Sequence, residues 1–408
     1  MTLPATMSGV QLTAHGGPEV LVWRDDLPVP APGPGEVLVR VLAAGVNMTD
    51  VNTRIGWYGA GAAAGWAGAM AFPRIQGSDL CGRVVANGAG AEWPLGARVV
   101  CATNQPEPSD ANPLGFVAIG SEYDGAFAQF CVVPARHLHD VTASPLSDVE
   151  VGAMPCAFGT AWNLLHRAGV AAGERVLVTG ASGGVGLAAV QIARARGAEV
   201  VGQCSAAKAQ AVRDLGAGVL DRDEVLPQRA YVAVIDVVGG AGFGARLASL
   251  RPGGRYATSG AVAGPAVTAD LRTLYLNDLT LLGCTHQPRE VFAALVAAIN
   301  AGTLRPLVSQ TYPLRDIARA QDDLTAARHP GKLVLLPPEI AAFPVELGED
   351  GARLVYRGGN GQGGGRAEVA QLTQALTRAG VGYTSLDIHD SSLEDIFVGL
   401  LGKQEVPA

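Results

Sequence analysis

The sequence is poor in charged residues and contains no long apolar run. Charged residues make up 16% of its 408 residues and apolar residues 48%, which is typical of a folded globular protein. The net charge of -7 gives no electrostatic reason to expect nucleic acid or an anionic membrane as a partner. No uncharged apolar stretch reaches the roughly 20 residues needed to span a bilayer. The start of the chain has neither the basic segment nor the apolar core of a signal peptide, so we expect a cytoplasmic protein.

Clustered cysteines are also missing, because none of the six forms a C-x-x-C pair. They are Cys81, Cys101, Cys131, Cys156, Cys204 and Cys284. Such wide spacing is typical of reduced, mostly buried thiols. A structural zinc site requires clustered thiolates, so this pattern gives no support for one.

The length of the chain suits two domains and an appendage. Residues 1–150 show short alternating segments typical of strands, and residues 305–338 read as an irregular return to this first domain. Over residues 151–304, short apolar runs alternate with helical segments, which indicates a parallel sheet with helices on both faces. The expected strands of the first domain are residues 36–43, 82–86, 97–101 and 126–133.

The segment after Pro338 has a different character. It begins with two alternating stretches that turn at residues 349–351, followed by a glycine-rich linker and a predicted helix over 367–379. A strand (YTSLDI) and a short capped helix (SSLEDIFVGLLG) complete a small α+β module over 339–408. In the first domain, residues 59–70 are low in complexity and are predicted to form a loop beside the functional site. Residues 104–121, which are polar and rich in proline, are predicted to be a second insertion.

A glycine-rich turn follows the first predicted strand of the parallel sheet and opens a helix. It reads Gly-Ala-Ser-Gly-Gly-Val-Gly over 180–186. Glycines allow the backbone to approach a pyrophosphate, whose charge the helix N-terminus stabilises. The alternative, a turn that merely packs strand on helix, is disfavoured by the βαβ context on both sides. The predicted coenzyme contacts here are Gly180, Ser182, Gly183, Gly184, Val185 and Gly186.

The end of the second strand of this sheet determines which dinucleotide is expected. A carboxylate there would hold the ribose 2′-hydroxyl of NAD, but this chain reads VGQCSAAK with no acid. Ser205 can donate a hydrogen bond to a 2′-phosphate, and Lys208 and Arg222 can supply positive charge. The alternative is that both basic residues are solvated surface charges. The pattern favours NADPH.

Several segments together resemble the medium-chain dehydrogenase/reductase superfamily, in particular its zinc-free quinone-oxidoreductase-like branch. They include AAGVNMTDVNTRIGWY (43–58), QGSDLCGRVV (76–85), GERVLVTGASGGVGLAAVQIARARGAEV (173–200) and HPGKLVLLP (329–337). The resemblance spans about residues 8–338. It implies a GroES-like β-rich catalytic domain, a doubly wound Rossmann domain, and an active site in the cleft between them.

The same resemblance argues against a catalytic zinc. Zinc-dependent members have cysteine in a G-V-C-x-T-D motif, where this chain has Asn47, and a G-H-E motif, where it has Gly77-Ser78-Asp79. Only Cys156 matches a ligand position, and a catalytic zinc requires three protein donors. The four-cysteine structural lobe is missing as well. We therefore expect no metal.

The resemblance also nominates catalytic and coenzyme-binding residues. Asn47 matches a residue beside the nicotinamide ribose and can orient a carbonyl or the coenzyme. Tyr58 matches the proton donor of some zinc-free enoyl reductases, although an ordinary cleft-lining aromatic is an equal alternative. Asp50 is retained from the superfamily pattern and is more consistent with a structural hydrogen bond. The remaining expected coenzyme contacts are Thr160, Gly260, Thr285 and Lys332, although a surface charge at the end of a strand is an equal alternative for Lys332.

These inferences predict an NADPH-dependent reductase that transfers hydride to a small-molecule enone or quinone. Alternatives are a ketone reductase or alcohol dehydrogenase, and a non-catalytic coenzyme-binding protein whose tail recruits a partner. The tail, AEVAQLTQALTRAGVGYTSLDIHDSSLEDIFVGLLGK, resembles the accessory C-terminal domain of ABC-transporter ATPase subunits, which implies a packing, dimerisation or protein-contact module. The quinone-oxidoreductase-like branch also implies a homodimer.

Overall fold

The computed structural model describes residues 3–59, 70–338, 347–348, 351–356, 383–388 and 396–400. The chain divides into one compact unit that ends at Pro338 and a second over Glu339–Ala408. Residues 60–69, which are most of the loop predicted over 59–70, and the helix predicted over 367–379 lie outside the described residues. Within the described part of the chain, no helix combines the length and hydropathy needed to cross a membrane.

The first part of the chain is rich in strands, as its alternating sequence predicts. Its ten strands are β1 (Thr6–Leu12), β2 (Leu21–Pro28), β3 (Glu36–Gly45), β4 (Arg74–Ile75), β5 (Cys81–Asn87), β6 (Arg98–Cys101), β7 (Asn104–Pro106), β8 (Phe116–Ala118), β9 (Phe130–Pro134) and β10 (Leu138–Asp140). Two helices accompany them, α1 (Met48–Arg54) and α2 (Asp148–Gly152). The strand predicted at 126–133 begins only at Phe130, because the N–H groups of Ala126 and Phe127 bond to the carbonyls of Gly77 and Gln76 instead.

A parallel sheet with covering helices follows. Its elements are α3 (Pro155–Arg167), β11 (Arg175–Thr179), α4 (Gly184–Ala195), β12 (Glu199–Cys204), α5 (Ala209–Arg213), β13 (Gly218–Asp221), β14 (Tyr231–Asp236), α6 (Phe243–Ala248), β15 (Leu250–Thr258), α7 (Leu271–Tyr275), β16 (Thr280–Gly283) and α8 (Arg289–Ala301). The strand order is β13-β12-β11-β14-β15-β16, and every pair is parallel. The order reverses beside β11, so the crevice at its carboxyl end is where such sheets bind ligands.

Residues 305–338, predicted to be irregular, are instead well ordered into β17 (Val308–Pro313), α9 (Ile317–Thr325) and β18 (Lys332–Leu336). β18 lies between β17 and β3, so it is an interior strand of the seven-stranded sheet, whose main order is β10-β6-β5-β3-β18-β17. The prediction of an irregular segment was wrong because the polar residues and proline of β17 do not show the alternating apolar pattern of a strand. Pairing with β18 stabilises that strand despite its weak apolar pattern.

The described part of the second unit is an antiparallel sheet. It contains β19 (Leu347–Gly348), β20 (Gly351–Tyr356), β21 (Tyr383–Ile388) and β22 (Ile396–Leu400), in the order β19-β20-β22-β21. β22 corrects the predicted short helix in SSLEDIFVGLLG. The β-branched and aromatic residues of IFVGL favour a strand, and β20 and β21 pair with it on both sides.

Candidate active site

The glycine turn between β11 and α4 is tightly folded. Gly180 has a φ of +56°, a left-handed conformation that favours glycine. A Cβ on Gly186 would lie 2.2 Å from the carbonyl oxygen of Gly180, so the helix can pack on the turn only if residue 186 has no side chain. Ser182, Gly183 and Val185 are half-buried or exposed. The first N–H groups of α4, which have no intrahelical acceptor, therefore face an accessible edge of the sheet.

The end of β12 carries the basic residues expected for a 2′-phosphate. Lys208 donates from Nζ to the carbonyl oxygens of Ala327 and His329. Burial, and then the nearby positive charge of Arg222, lower the pKa of Lys208. The structure thus brings two positive groups together beside Ser205. Asp221 also reaches this turn, but its carboxylate accepts from the backbone N–H groups of Ala206 and Asp223.

At the start of α1, Asn47 belongs to a buried network with Asp79 and Lys332. Lys332 Nζ donates to Asp79 Oδ2 at 3.1 Å, to the carbonyl oxygen of Val46 at 3.1 Å and to Asn47 Oδ1. Asn47 Nδ2 donates to Asp79 Oδ2 at 2.8 Å and to Ser78 Oγ at 3.2 Å. The three side chains at positions 47, 79 and 332 are 7%, 0% and 4% exposed. This network occupies the place that the sequence motifs assign to the zinc ligands.

The network leaves little hydrogen-bonding capacity for a ligand. An ammonium has three donors, and all three of Lys332 are used inside the protein. An amide nitrogen has two donors, and those of Asn47 have acceptors in Asp79 and Ser78. Asn47 therefore has no amide proton left to donate to a ligand.

Asp50 closes the first turn of α1. Its carboxylate accepts from the N–H of Asn47 at 2.8 Å and from the N–H of Ser78 at 3.2 Å, and the first of these bonds belongs to a capping box. Burial, reinforced by the negative charge of Asp79, raises the pKa of Asp50 from 3.8 to about 7. The hydrogen bonds agree with the predicted structural role of Asp50.

Tyr58 lies in a short 3₁₀ helix directly after α1, over Trp57–Gly59. Its ring is half-buried and meets Trp57 edge to face, with 5.1 Å between ring centroids. Burial raises the pKa of Tyr58, and hydrogen bonds with Thr49 and Asn52 oppose this effect. The tyrosine therefore keeps its proton at neutral pH, beside the helix that positions Asn47 and Asp50.

The other predicted contacts lie on the surrounding elements. Thr160 is half-buried on α3, one turn after Cys156. Gly260 follows β15, and a Cβ there would lie 3.0 Å from the carbonyl oxygen of Val237. Thr285 is exposed after β16, and its carbonyl oxygen accepts from Asn104 Nδ2 at 3.1 Å.

Lys332 connects the network around Asn47 to the glycine turn. A Cβ on Gly184 would lie 2.6 Å from Lys332 Cδ, so the aliphatic part of the lysine crosses the start of α4. The N–H of Gly331 donates to the carbonyl oxygen of Ser182 at 2.9 Å. The structure therefore brings together Asn47, Asp50 and Lys332 with the turn at 180–186. It places Ser205, Lys208 and Arg222 at the neighbouring strand end.

Two acidic residues of the site were not predicted as functional. In the sequence, Asp79 stands out only as part of a motif that lacks histidine. Asp236, 1% exposed at the end of β14, accepts from Thr179 Oγ1, from Tyr256 Oη and from the N–H groups of Val238 and Gly239. An acid that ends an apolar strand (YVAVID) was the available signal, since a buried carboxylate requires partners.

The pKa of Asp50 predicts a specific pH dependence of stability. A carboxyl whose pKa is higher in the folded than in the unfolded state stabilises the fold most below its unfolded pKa and loses this effect as pH rises through its folded pKa. The free energy of unfolding of the parent, relative to Asp50→Asn, should fall by at least about 1 kcal/mol between pH 5 and 8. Urea unfolding of both proteins across this range measures it. A difference independent of pH would contradict the raised pKa.

Comparisons with known proteins agree with this architecture. The model "Alcohol dehydrogenase GroES-like domain" matches residues 33–143, and "Zinc-binding dehydrogenase" matches residues 209–335. A quinone oxidoreductase of Lama guanicoe is 30% identical over 81% of this chain and 97% of its own length. An acryloyl-coenzyme A reductase of Metallosphaera sedula is 30% identical over 75% of this chain and 93% of its own.

Solved structures show the same relationship. A Sinorhizobium meliloti 1021 protein, provisionally described as an alcohol dehydrogenase, is 42% identical, with a TM-score of 0.77 over 82% of this chain and 98% of its own. A 2-octenoyl-CoA carboxylase reductase, solved with NADP and 2-octenoyl-CoA, is 26% identical, with a TM-score of 0.73 over 83% of this chain and 90% of its own. The chain belongs to the medium-chain dehydrogenase/reductase superfamily.

Proposed function

We propose that this protein is a zinc-independent, NADPH-dependent reductase that adds hydride to a carbon–carbon double bond or quinone ring conjugated to a carbonyl group. The observation that carries the proposal is the Asn47–Asp79–Lys332 network, in which the Asn47 amide and the Lys332 ammonium donate all their protons to protein acceptors. Both carboxylate oxygens of Asp50 accept from backbone N–H groups, so we assign Tyr58 as the proton donor. Relatives described as quinone oxidoreductase and acryloyl-coenzyme A reductase support this substrate class.

The residues at the zinc positions do not fit that metal. Asn47 and Ser78 are poor zinc ligands, and burial raises the pKa of Cys156 to about 12, which disfavours the thiolate that zinc requires. The Lys332 ammonium also forms an ion pair with Asp79, so a positive charge is already present where the metal would bind. Among residues 3–59 and 70–338, no three His, Cys, Asp or Glu side chains are grouped to hold a metal ion.

The residues at the glycine turn do fit a dinucleotide. The accessible start of α4 suits a pyrophosphate, and Ser205, Lys208 and Arg222 suit a 2′-phosphate. When bound, NADPH supplies the hydride. The backbone of residues 180–186 would position it, with Thr160, Gly260, Thr285 and the Asn47 amide as further contacts.

Tyr58 completes the reduction in this proposal. Hydride addition to a conjugated double bond leaves an enolate, which takes up one proton. Tyr58 holds that proton at Oη, because its raised pKa keeps the hydroxyl neutral. Its half-buried position beside α1 strengthens a hydrogen bond to a developing oxyanion, since the local dielectric is low.

We also propose that residues 1–150 with 305–338 form the catalytic domain, residues 151–304 the coenzyme domain, and residues 339–408 an accessory protein-contact module. A second copy of the chain is proposed to pair with the edge strand β16. Four large apolar side chains are exposed on β16 and the adjacent α7: Leu271 (70%), Tyr275 (62%), Leu276 (68%) and Leu281 (45%). A free strand edge flanked by apolar side chains is suited to pairing about a twofold axis.

Substrate class is tested by following NADPH oxidation with a quinone, an enone, an enoyl thioester and a saturated ketone. We expect turnover of the conjugated substrates, and Tyr58→Phe should lower kcat on the enone by about 100-fold, which is typical of a lost general acid. Tyr231→Phe, which removes a hydroxyl from the tyrosine that begins β14, is the matched control. Turnover of the saturated ketone alone would favour an alcohol dehydrogenase, and no turnover at all would favour a non-catalytic coenzyme-binding protein.

Coenzyme choice depends on the charges at the end of β12. Lys208→Met should weaken NADPH binding by about tenfold or more through the loss of a charge-assisted hydrogen bond, and should leave NADH binding within about twofold. Arg251→Met removes an exposed charge elsewhere and serves as the control. Fluorescence titration with both coenzymes measures the effect. Equal weakening of both coenzymes would show that Lys208 does not recognise the 2′-phosphate.

The assembly is tested by light scattering after size exclusion. Leu281→Asp should convert the dimer to a monomer, because it buries a charge in the proposed strand pair. Leu95→Asp, at a residue 69% exposed in the catalytic part, should leave the dimer intact. A dimer that persists in Leu281→Asp but is lost on deletion of residues 339–408 would assign assembly to the accessory module instead.

A further inference from the structure

Lys332 begins at the junction of the two halves of the site. It is the first residue of β18, and the preceding Gly331 bonds to the glycine turn through Ser182. Its aliphatic chain then passes over Gly184, and its ammonium ends among Val46, Asn47 and Asp79 on the catalytic side. The side chain is 4% exposed, so its charge is directed into the protein.

Asp79 accepts the hydrogen bonds that join the elements at this junction. Its Oδ2 accepts from Lys332 Nζ and Asn47 Nδ2, and its Oδ1 accepts from the N–H of Cys156 at 2.6 Å. These donors come from the start of β18, the start of α1 and the start of α3. A carboxylate with no exposed surface depends on all its partners, because an unpaired buried charge is strongly destabilising.

The Asn47 amide is thereby held at both ends. Lys332 donates to its oxygen, and its nitrogen donates to Asp79. Removing either charged partner would leave one end of the amide without its fixed neighbour, so the plane of the Asn47 amide would no longer have a defined orientation at the coenzyme site. Lys332 and Asp79 therefore share one effect, which is to fix the orientation of the Asn47 amide.

Lys332 links Asn47 to the glycine turn, whereas Ser205 and Lys208 lie at the turn that follows β12. In sheets of this kind the adenosine ribose meets the end of the second strand and the pyrophosphate meets the helix start. The residues that would hold the nicotinamide half are therefore those beyond the start of α4, and Lys332 leads from that start to Asn47.

We propose that Lys332 and Asp79 are positioning residues, which act on the coenzyme by orienting the Asn47 amide rather than by binding a phosphate. The proposal rests on the proposed binding of NADPH. It gives Gly184 a second role, since a side chain at that position would displace the lysine from its path.

A double-mutant cycle tests the proposal with Lys332→Met, Asp79→Asn and the combined variant. Fluorescence titration gives the Kd of NADPH, and calorimetry gives the Kd of 2′,5′-ADP, which lacks the nicotinamide half. We expect each single variant to weaken NADPH about tenfold and the double variant also only about tenfold, because both substitutions remove the same effect. Binding of 2′,5′-ADP should stay within about twofold of the parent. Lys208→Met is the control that should weaken both ligands alike.

Stability provides the readout that separates positioning from folding. In the coenzyme-free protein the double variant should melt above either single variant, since it leaves no unpaired buried charge. Additive effects on NADPH, close to 100-fold in the double variant, or a parallel loss of 2′,5′-ADP in Lys332→Met, would overturn the proposal and leave the proposed function standing. A parent chain that binds neither ligand would overturn the proposed function and this inference with it.

Discussion

The buried ion pair between Asp79 and Lys332 is the interaction on which the arrangement of the site depends. Two charges that are almost without solvent contact are tolerated only when every bond around them is made. Here the bonds come from the starts of α1, α3 and β18. The pair therefore determines how the catalytic sheet meets the turn that opens α4, and the distance between these parts cannot change without exposing a charge.

The pair also determines which side chains of the site have a proton left to donate. Asn47 and Lys332 donate their protons to protein acceptors, so in the proposed reduction the proton comes from a group outside the network. Tyr58 is held just beyond the network by the helix that Asn47 caps, and burial keeps its hydroxyl protonated. Asp236 has a comparable organising role in the parallel sheet, where it connects the ends of β11 and β14 to the loop that follows.

Much of the fold could be predicted from local patterns. The strand, glycine turn and helix over residues 175–195 form one contiguous signal, and the structure places them within a residue or two of expectation. After β12 the sequence predicts one helix over 206–215, and the structure instead forms a 3₁₀ turn over Ala206–Lys208 followed by α5, which ends at Arg213. The strand β17 and the terminal strand β22 were missed, since each is stabilised by neighbours distant in sequence rather than by its own periodicity.

The sequence alone determined the family, the two sheet types, and that asparagine and serine stand at positions 47 and 78, where zinc-dependent members have cysteine and histidine, because these follow from residue identities within short segments. Only the tertiary structure decided what Lys332 does. Its partner Asp79 lies 253 residues earlier in the chain, and no local pattern reports a contact over that separation. Gly184 and Lys332 are both expected to contact the coenzyme, and the fold in addition brings them against each other. A long side chain can reach several neighbours, and the one it reaches is set by how the sheets pack.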